Sequence, residues 1–364
     1  MIAQTQTRGE LSSAVEPDIA AVAEEWEDLA DRTQATPFVE PGWIAAWWRA
    51  FGSGRLEVHV VRRDDRLIGV LPVGLRAGRA ASPTNFHTPA FGLVAEDGGA
   101  ADRLAAAVLD RRPRRLSVGF LDADGPDLAA LLRGAAAARY RPILRTQLRS
   151  PFIRLAPSLD AYCAQRRSSA MADLRRKRRR LSERGHAALE RVTGGPDLAN
   201  ALDEGFRLER LGWKGSRGTA VASVPALREF YGEVARWAAA RGWLRLFLLR
   251  IDGRALAFYY GLEHRHVLHL LKGGYDPAWA RLSPGQLLLE DVIASGFSHG
   301  IERIELGGSD ERYKRVFANS VRERQRLQVF SPTPAGRCEW AVMSHGRRLA
   351  ARLSLDRALR RIKR

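Results

Sequence analysis

Residues suited to binding an anion come just before a predicted helix in the second half of the chain. Ser283 is a favourable N-cap, and Pro284 fits the first helical turn, where its missing N–H costs nothing. The N–H groups of residues 285–287 would then point outward from a helix N-terminus, which attracts anions, and Arg281 adds a charge nearby. The segment predicts a pyrophosphate site, although Ser-Pro alone is also typical of an ordinary capped helix.

A second polar segment follows a predicted strand at residues 301–306. Tyr313 and Lys314 are expected one turn into a short helix that runs from Asp310 to Phe317. A tyrosine there can protonate a leaving thiolate, and a lysine can hold a phosphate or carbonyl oxygen. The structural alternative is a packed aromatic face, because Tyr313 and Phe317 are four residues apart.

A third segment ends a predicted helix, residues 196–211, with an aromatic residue and a cation, Trp213 and Lys214. Tryptophan is more often part of a core than a platform for a ligand. Cys163 and Cys338 are too far apart in sequence to indicate a metal knuckle, and the eight histidines show no ligand spacing. No metal is expected, and no single segment is specific.

The composition predicts a two-domain protein of the cytoplasm. The chain has 364 residues, which exceeds what one core usually spans, and its two cysteines suggest a reducing compartment. No secretory signal or bilayer-spanning run is visible, since the longest apolar run, residues 255–262, suits a buried strand. A net charge of +18 leaves anionic ligands, membrane surface and nucleic acid open as partners.

The chain repeats itself at a spacing of 188 residues. Asp64 corresponds to Asp252 in similar hairpin sequences, and Arg115 corresponds to Arg303 at the start of similar strands. Both copies predict the order helix, helix, strand, strand, helix, strand, which indicates two copies of one domain. Only the second copy has the reactive residues, because in the first copy the positions that correspond to residues 283–285 are Ala95-Glu-Asp97.

These patterns divide the chain into five predicted segments. They are a disordered N-terminus at 1–16, a degenerate domain at 17–150, a connecting strand and basic helix at 151–190, an active domain at 191–332 and a basic amphipathic C-terminal helix at 333–364. The basic helix is expected at residues 170–184, with only a thin apolar stripe. The C-terminal helix could lie on an anionic membrane surface or pack as a solvated helix.

The ordered set of motifs resembles the GNAT acyltransferase superfamily, in the branch related to cellulose-biosynthesis acetyltransferases and Fem-type peptidyltransferases. The residues that carry the resemblance lie in five segments: Leu174–Gly185, Gly212-Trp-Lys214, Asp252-Gly-Arg254, Gly274–Gly285 and Asp310–Lys314. The resemblance covers residues 36–332 and is strongest over 160–320. It implies an α/β (α+β) fold of two tandem GNAT-like domains, each with a mixed, mostly antiparallel sheet flanked by helices.

The resemblance also implies a coenzyme A thioester, acetyl or longer, as the donor. Its pantetheine arm would lie along the strand at residues 265–271, and Tyr313 would protonate the departing sulfur. The cofactor-binding residues implied are Leu270, Leu271, Arg281, Ser283, Pro284, Gly285 and Gln286. One departure from the family loop is that Pro284 and Gln286 stand where glycines are usual.

The general base and the acceptor are less defined. Glu263, His269 and Glu305 are equal candidates for the base by their strand positions, with Tyr313 and Lys314 as the other catalytic residues. The implied acceptor-binding residues are Trp213, Lys214, Tyr275 and Asp310. The acceptor would be the amine or hydroxyl of a small molecule or saccharide, and the sequence does not indicate an oligomeric state.

Two alternatives stay open. The first is a Fem-like enzyme that uses aminoacyl-tRNA, suggested by the arginines at 175–180, although this helix lacks the interleaved aromatic residues that would stack on nucleic acid bases. The second is a non-catalytic GNAT-fold protein that binds membrane or polymer. A location at the inner membrane face would follow from contact through the C-terminal helix.

Overall fold

The computed structural model describes residues 10–166, 168–212, 218 and 220–344. The chain divides into two compact units. The first unit contains residues 1–44, 52–147 and 324–364, and the second contains residues 45–51 and 148–323. The prediction of a mixed α/β fold with mostly antiparallel strands is confirmed in each of them.

The first unit has a sheet in the order β1-β2-β3-β4-β6-β13, with β5 beside β3. Its strands are β1 Leu11–Glu16, β2 Arg55–Arg63, β3 Arg66–Arg76, β4 Arg79–Ala81, β5 Val94–Ala95, β6 Arg115–Asp122 and the end of β13 Ser320–Phe330. Its helices are α1 Ala23–Arg32, the start of α2 Pro41–Phe51, α3 Gly98–Asp110, α4 Pro126–Ala137 and a helix at residues 334–344.

The second unit has a sheet in the order β7-β12-β11-β10-β9-β8. Its strands are β7 Arg141–Arg154 (from residue 148 on), β8 Ala187–Val192, β9 Leu244–Ile251, β10 Arg254–His264, β11 Val267–Tyr275 and β12 Arg303–Glu305. Its helices are α5 Leu159–Ala164, α6 Ser168–Ser182, α7 Leu198–Leu211, α8 Pro225–Ala240 and α9 Pro284–Ser298. Short 3-10 helices occur in the two units at Ala20–Val22, Pro37–Val39, Val221–Ser223, Pro277–Leu282 and Lys314–Val316.

The sequence repeat corresponds to a repeat of structure. Asp64 and Asp252 both have positive φ, 48° and 46°, at the tips of the β2–β3 and β9–β10 hairpins. Arg115 begins a strand that pairs in parallel with β4, as Arg303 begins one that pairs in parallel with β11. The two units therefore share the same order of strands, with a short parallel pair in each sheet.

Three expectations for local structure need correction. Residues 11–16 form β1, which pairs with β2 from Leu11 to Glu16, in place of the expected disorder. The strand expected at 265–271 runs over Val267–Tyr275, because Arg265 and His266 take left-handed turn conformations. The short helix expected at 310–317 is reduced to the 3-10 turn Lys314–Val316.

The basic helix expected at 170–184 is α6, and its thin apolar stripe of Met171, Leu174 and Leu181 is buried. Most of the C-terminal segment predicted to contact membrane, residues 345–364, lies outside the described residues, so that contact stays a prediction. Within the described ranges, no helix combines the length and hydropathy needed to span a bilayer.

Candidate active site

The strands β11 and β12 of the second unit separate after three residue pairs. They run in parallel from Val267 opposite Arg303 to His269 opposite Glu305, and the described pairing ends there. β11 continues to Tyr275 with only β10 as its described strand partner. The edge of β11 that follows His269 therefore has no described strand beside it, and an extended ligand could pair there.

A β-bulge lies where the opening begins. Tyr260 is opposite Lys272 and Gly261 is opposite Leu270, so Leu271 is an extra residue in β11. Bulges bend a strand and interrupt its ladder, and this one coincides with the end of the described β11–β12 pairing. The two predicted pantetheine contacts, Leu270 and Leu271, are thus at the opening.

The start of α9 differs from the expected capped helix. Ser283 has φ 51° and its hydroxyl does not cap the helix. Its carbonyl instead accepts hydrogen bonds from the N–H groups of Gln286 at 2.9 Å and Leu287 at 3.1 Å. Two of the three N–H groups expected to be free are therefore engaged, and the Leu287 bond is the first i→i−4 hydrogen bond of α9.

The Ser283 hydroxyl faces a cation that the sequence analysis did not select. The Lys177 ammonium of α6 donates to the Ser283 Oγ at 3.0 Å and forms an ion pair with Asp173 at 2.7 Å. Arg281, in the 3-10 turn before α9, is exposed. The positive charge at this helix start therefore comes mainly from side chains, and less from free N–H groups than expected.

Arg178 holds α6 against α9. Its guanidinium pairs with Glu290 at 2.7 Å and Asp291 at 2.8 Å, and it donates to the Leu287 carbonyl at 3.0 Å. Burial raises the pKa of Asp291, while Arg178 acts in the opposite direction. Because Arg178 is fixed in this way, its neighbour Lys177 lies at the start of α9.

Tyrosines surround the same helix start. The Tyr259 hydroxyl donates to the Gly285 carbonyl at 3.3 Å. Its ring crosses β11 at Gly273, where a Cβ atom would lie 2.6 Å from the ring. The Tyr275 ring lies in ordinary contact range of Gly285, since a Cβ atom there would be 3.6 Å from it. These contacts bring Tyr275, predicted for the acceptor, to the helix start predicted for the donor.

Tyr313 lies close to this group and is partly exposed, at 39%. Partial burial raises the pKa of Tyr313 above its usual value, and the nearby Tyr259 and the hydrogen-bonded Glu311 raise it further. The phenol therefore keeps its proton at neutral pH, as a general acid requires.

Lys314 is placed differently from the predicted catalytic lysine. Its side chain is 6% exposed and forms an ion pair with Glu311 at 3.1 Å. Its ammonium donates to the carbonyls of Gly307 at 2.7 Å and Ser309 at 3.3 Å. Lys314 thus secures the turn after β12, and its partners are oxygens of the protein itself.

The candidate bases are distributed unequally. Glu263 lies near the other end of β10 and pairs with Arg245 at 2.8 Å and Arg191 at 3.6 Å, so the structure does not bring it to the opening. His269 and Glu305 are buried and opposite each other in the last pair before the strands separate. The geometry places these two at the start of the opening, and it separates them from Glu263.

The structure says less about the other residues predicted to bind the acceptor, Asp310, Trp213 and Lys214. Asp310 forms two hydrogen bonds with Arg315, at 3.0 and 3.1 Å, beside the turn that Lys314 secures. Trp213 and Lys214 lie outside the described residues. Among the residues described, no group of three or more His, Cys, Asp or Glu side chains could hold a metal ion.

The counterpart helix in the first unit starts with an acidic residue. Asp97 caps α3 by accepting the Ala100 N–H at 2.9 Å. At the separation of β4 and β6, the Ser82 hydroxyl accepts the Gly119 N–H at 3.1 Å, and the Gln147 side chain accepts the Phe120 N–H at 2.9 Å. A carboxylate at the helix start disfavours an anion, and side chains already use these strand N–H groups.

Lys177 could have been found from helix periodicity. It stands three residues after Leu174 and four before Leu181, so it falls on the apolar stripe of α6. A cation on the stripe that faces the protein requires a partner there. Tyr259 had no comparable signal, because its role depends on contacts of β10 with β11 and α9.

Comparison with known proteins places this site in a recognised fold. Residues 168–315 match the family model described as Acetyltransferase (GNAT) domain. The structure of FemX is similar, with a TM-score of 0.59 and 10% identity over 87% of this chain and 96% of that chain. No curated protein sequence matches the chain.

Two further solved structures are similar over most of their length. The C-terminal domain of a candidate lysylphosphatidylglycerol synthetase from Agrobacterium fabrum has a TM-score of 0.55 and 15% identity, over 90% of this chain and 97% of that chain. A conserved protein of unknown function from Bacteroides thetaiotaomicron has a TM-score of 0.57 and 11% identity, over 88% and 100%. At these identities the similarity concerns the fold.

Proposed function

We propose that this protein transfers an acyl group from a coenzyme A thioester to an amine or hydroxyl of a small acceptor, on the premise that residues 168–315 match the family model of a GNAT acetyltransferase domain. The observation that carries the proposal is the coincidence of three features in the second unit. They are the open edge of β11, the cation-bearing start of α9 and the protonated phenol of Tyr313.

The donor would lie across these three features. Lys177 and Arg281 would neutralise its pyrophosphate at the start of α9. Backbone groups of Leu270 and Leu271 would pair with the pantetheine amides at the bulge. A bound thioester would then end near His269 and Glu305.

The transfer would be direct. The acceptor nitrogen or oxygen attacks the thioester carbonyl carbon, the C–S bond breaks, and the proton of Tyr313 goes to the departing sulfur. The proton lost by the acceptor goes to Glu305 or His269, directly or through water. The acylated acceptor and free coenzyme A are the products, and the proton held by the base passes through solvent to the Tyr313 phenolate.

Coenzyme A binding tests the donor. We expect coenzyme A to raise the melting temperature of the purified chain, since a ligand that binds only the native state stabilises it. Pantetheine, which has no pyrophosphate, should give a smaller rise. Absence of any rise at millimolar coenzyme A, together with no thiol release from acetyl-coenzyme A across a panel of amines and sugars, would refute the proposal.

A second candidate is transfer from aminoacyl-tRNA, favoured by the exposed arginines of α6. Arg175, Arg179 and Arg180 are all exposed on the helix that delivers Lys177. If they contact RNA phosphates, binding to unfractionated tRNA should weaken steeply between 50 and 200 mM salt. Acyl transfer from charged tRNA, with none from acyl-coenzyme A, would favour this candidate over the first.

A further inference from the structure

Three arginines and one carboxylate form a group beside the strand opening, which we call the arginine cluster: Arg154, Arg303, Arg322 and Glu305. Arg154 is opposite Arg303 in the β7–β12 pair, and Glu305 is opposite Phe152, so these side chains share one face of the sheet. The guanidinium groups of Arg154 and Arg322 lie 5.8 and 5.3 Å from the Phe152 ring centroid.

The arginine cluster carries more positive than negative charge. Arg303 and Arg322 both pair with the same Glu305 oxygen, Oε1, at 3.0 and 3.9 Å. Burial lowers the pKa of Arg303, and the neighbouring Arg322 and Arg154 lower it further, although Glu305 and the exposed Glu302 act in the opposite direction. Arg303 and Arg322 share the Glu305 carboxylate, and Arg154 lies close enough to act on Arg303 as well. The three cations repel one another, and a bound anion would relieve this repulsion.

The cluster lies on the opposite face of the sheet from the proposed donor phosphates. Leu268 and Ile304 are in the core that includes Leu287 and Leu288 of α9. Because side chains alternate along a strand, Arg303 and Glu305 point away from α9. Arg303 and Arg322 are reachable from solvent, with 33% and 25% of their side chains exposed.

We propose that the arginine cluster binds a carboxylate of the acceptor, so that the acceptor is an amine bearing a carboxylate, such as an amino acid. This inference rests on the proposed acyl transfer and specifies its acceptor. Arg322 and Arg154 would hold the carboxylate, and Glu305 would face the amine. Such an arrangement orients the nitrogen toward the last residue pair before the opening, where the thioester would end.

Anion binding can be tested without any donor. Melting temperatures are compared in sodium acetate and sodium chloride at equal ionic strength, for the wild type, Arg322→Gln, Lys177→Gln and Arg184→Gln. Acetate stabilises many proteins, so the test depends on how the acetate-specific rise in melting temperature differs between the variants. We expect Arg322→Gln to lose at least half of the acetate-specific rise, whereas Lys177→Gln and the exposed control Arg184→Gln keep it. An equal rise in all four proteins would overturn the inference, even if coenzyme A binds.

Acceptor preference is the second test, with acetyl-coenzyme A as donor. The probes are L-alanine and L-glutamate, their amides, ethanolamine and O-phosphoethanolamine. We expect a carboxylate-bearing amine to have at least a tenfold lower KM than its amide, and Arg322→Gln to remove this difference without changing the KM of the donor. Equal use of the amides, or preference for the phosphate-bearing amine, would contradict the inference while leaving acyl transfer intact.

Discussion

The Lys177 ammonium lies 3.0 Å from the Ser283 hydroxyl oxygen, which joins the basic helix α6 to the first turn of α9. Arg178, the next residue, is fixed to α9 by two carboxylates and a carbonyl. The lysine is therefore held at the helix start before a ligand arrives. A cation placed in advance adds to the weak positive potential of the helix end, and loses little side-chain entropy on binding a phosphate.

Replacing Lys177 with glutamine should weaken binding of the acyl donor. We expect the KM for acetyl-coenzyme A to rise about tenfold, which corresponds to about 1.4 kcal/mol, with kcat changed less than twofold. Initial rates measured over a range of donor concentrations check this. Arg179→Gln is the matched control, because Arg179 is exposed on the same helix and its replacement removes the same charge. An equal effect of both variants would mean that only overall charge matters.

Much of the fold could be predicted from periodicity and turn residues. Asp64 and Asp252 identified the two hairpins, and the 188-residue spacing identified two copies of one arrangement. These features depend on local chain geometry, which neighbouring residues determine. β1 was missed because Leu11–Glu16 alternates poorly and depends on β2 for its pairing.

The site was predicted less completely, because its chemistry depends on contacts between distant residues. Glu263 has a suitable residue type, but it lies on β10, and Arg191 and Arg245 engage it away from the opening. Lys314 is next to Tyr313 in sequence, yet its ammonium turns into the protein. Neither partner set follows from the spacing of residues along the chain.

Tyr313→Phe should reduce turnover about a hundredfold if the phenol protonates the departing sulfur. The KM for the donor should change little, because the ring remains in place. Since burial raises the pKa of Tyr313, the wild-type rate should not fall through loss of this acid anywhere below about pH 10. The measurement is kcat from pH 6 to 10 with Tyr275→Phe as control, since Tyr275 borders the same helix start. Unchanged turnover in Tyr313→Phe would exclude this role.

Lys314→Met should mainly destabilise the protein. Its ammonium donates to two carbonyls that would lose a charged partner, which costs about 2 kcal/mol. Urea unfolding measures this loss, and Arg315→Gln, an exposed charge on the same turn, should have little effect. Turnover of the folded variant should fall less than tenfold. If Lys314 acted on the substrate instead, turnover would fall strongly while stability stayed near that of the wild type.

Asp127 should make the stability of the first unit depend on pH. Its half-buried carboxylate lies in the first turn of α4 and accepts the Leu93 N–H at 3.2 Å. Burial raises the pKa of Asp127 to about 6, the Leu93 hydrogen bond lowers it and Asp122 raises it. The unfolded chain should have the ordinary value of about 3.9.

The sign follows from proton binding. Between about pH 4 and pH 6 the native state holds this proton more tightly than the unfolded state, so the stabilisation from protonated Asp127 is complete below pH 4 and lost above pH 6. Asp127→Asn keeps an acceptor for Leu93 and does not titrate. Relative to the wild type, we expect the variant to gain at most about 3 kcal/mol of unfolding free energy as pH rises from 4 to 7. Urea unfolding of both proteins at several pH values measures the difference. A constant difference for Asp127→Asn would contradict the raised pKa.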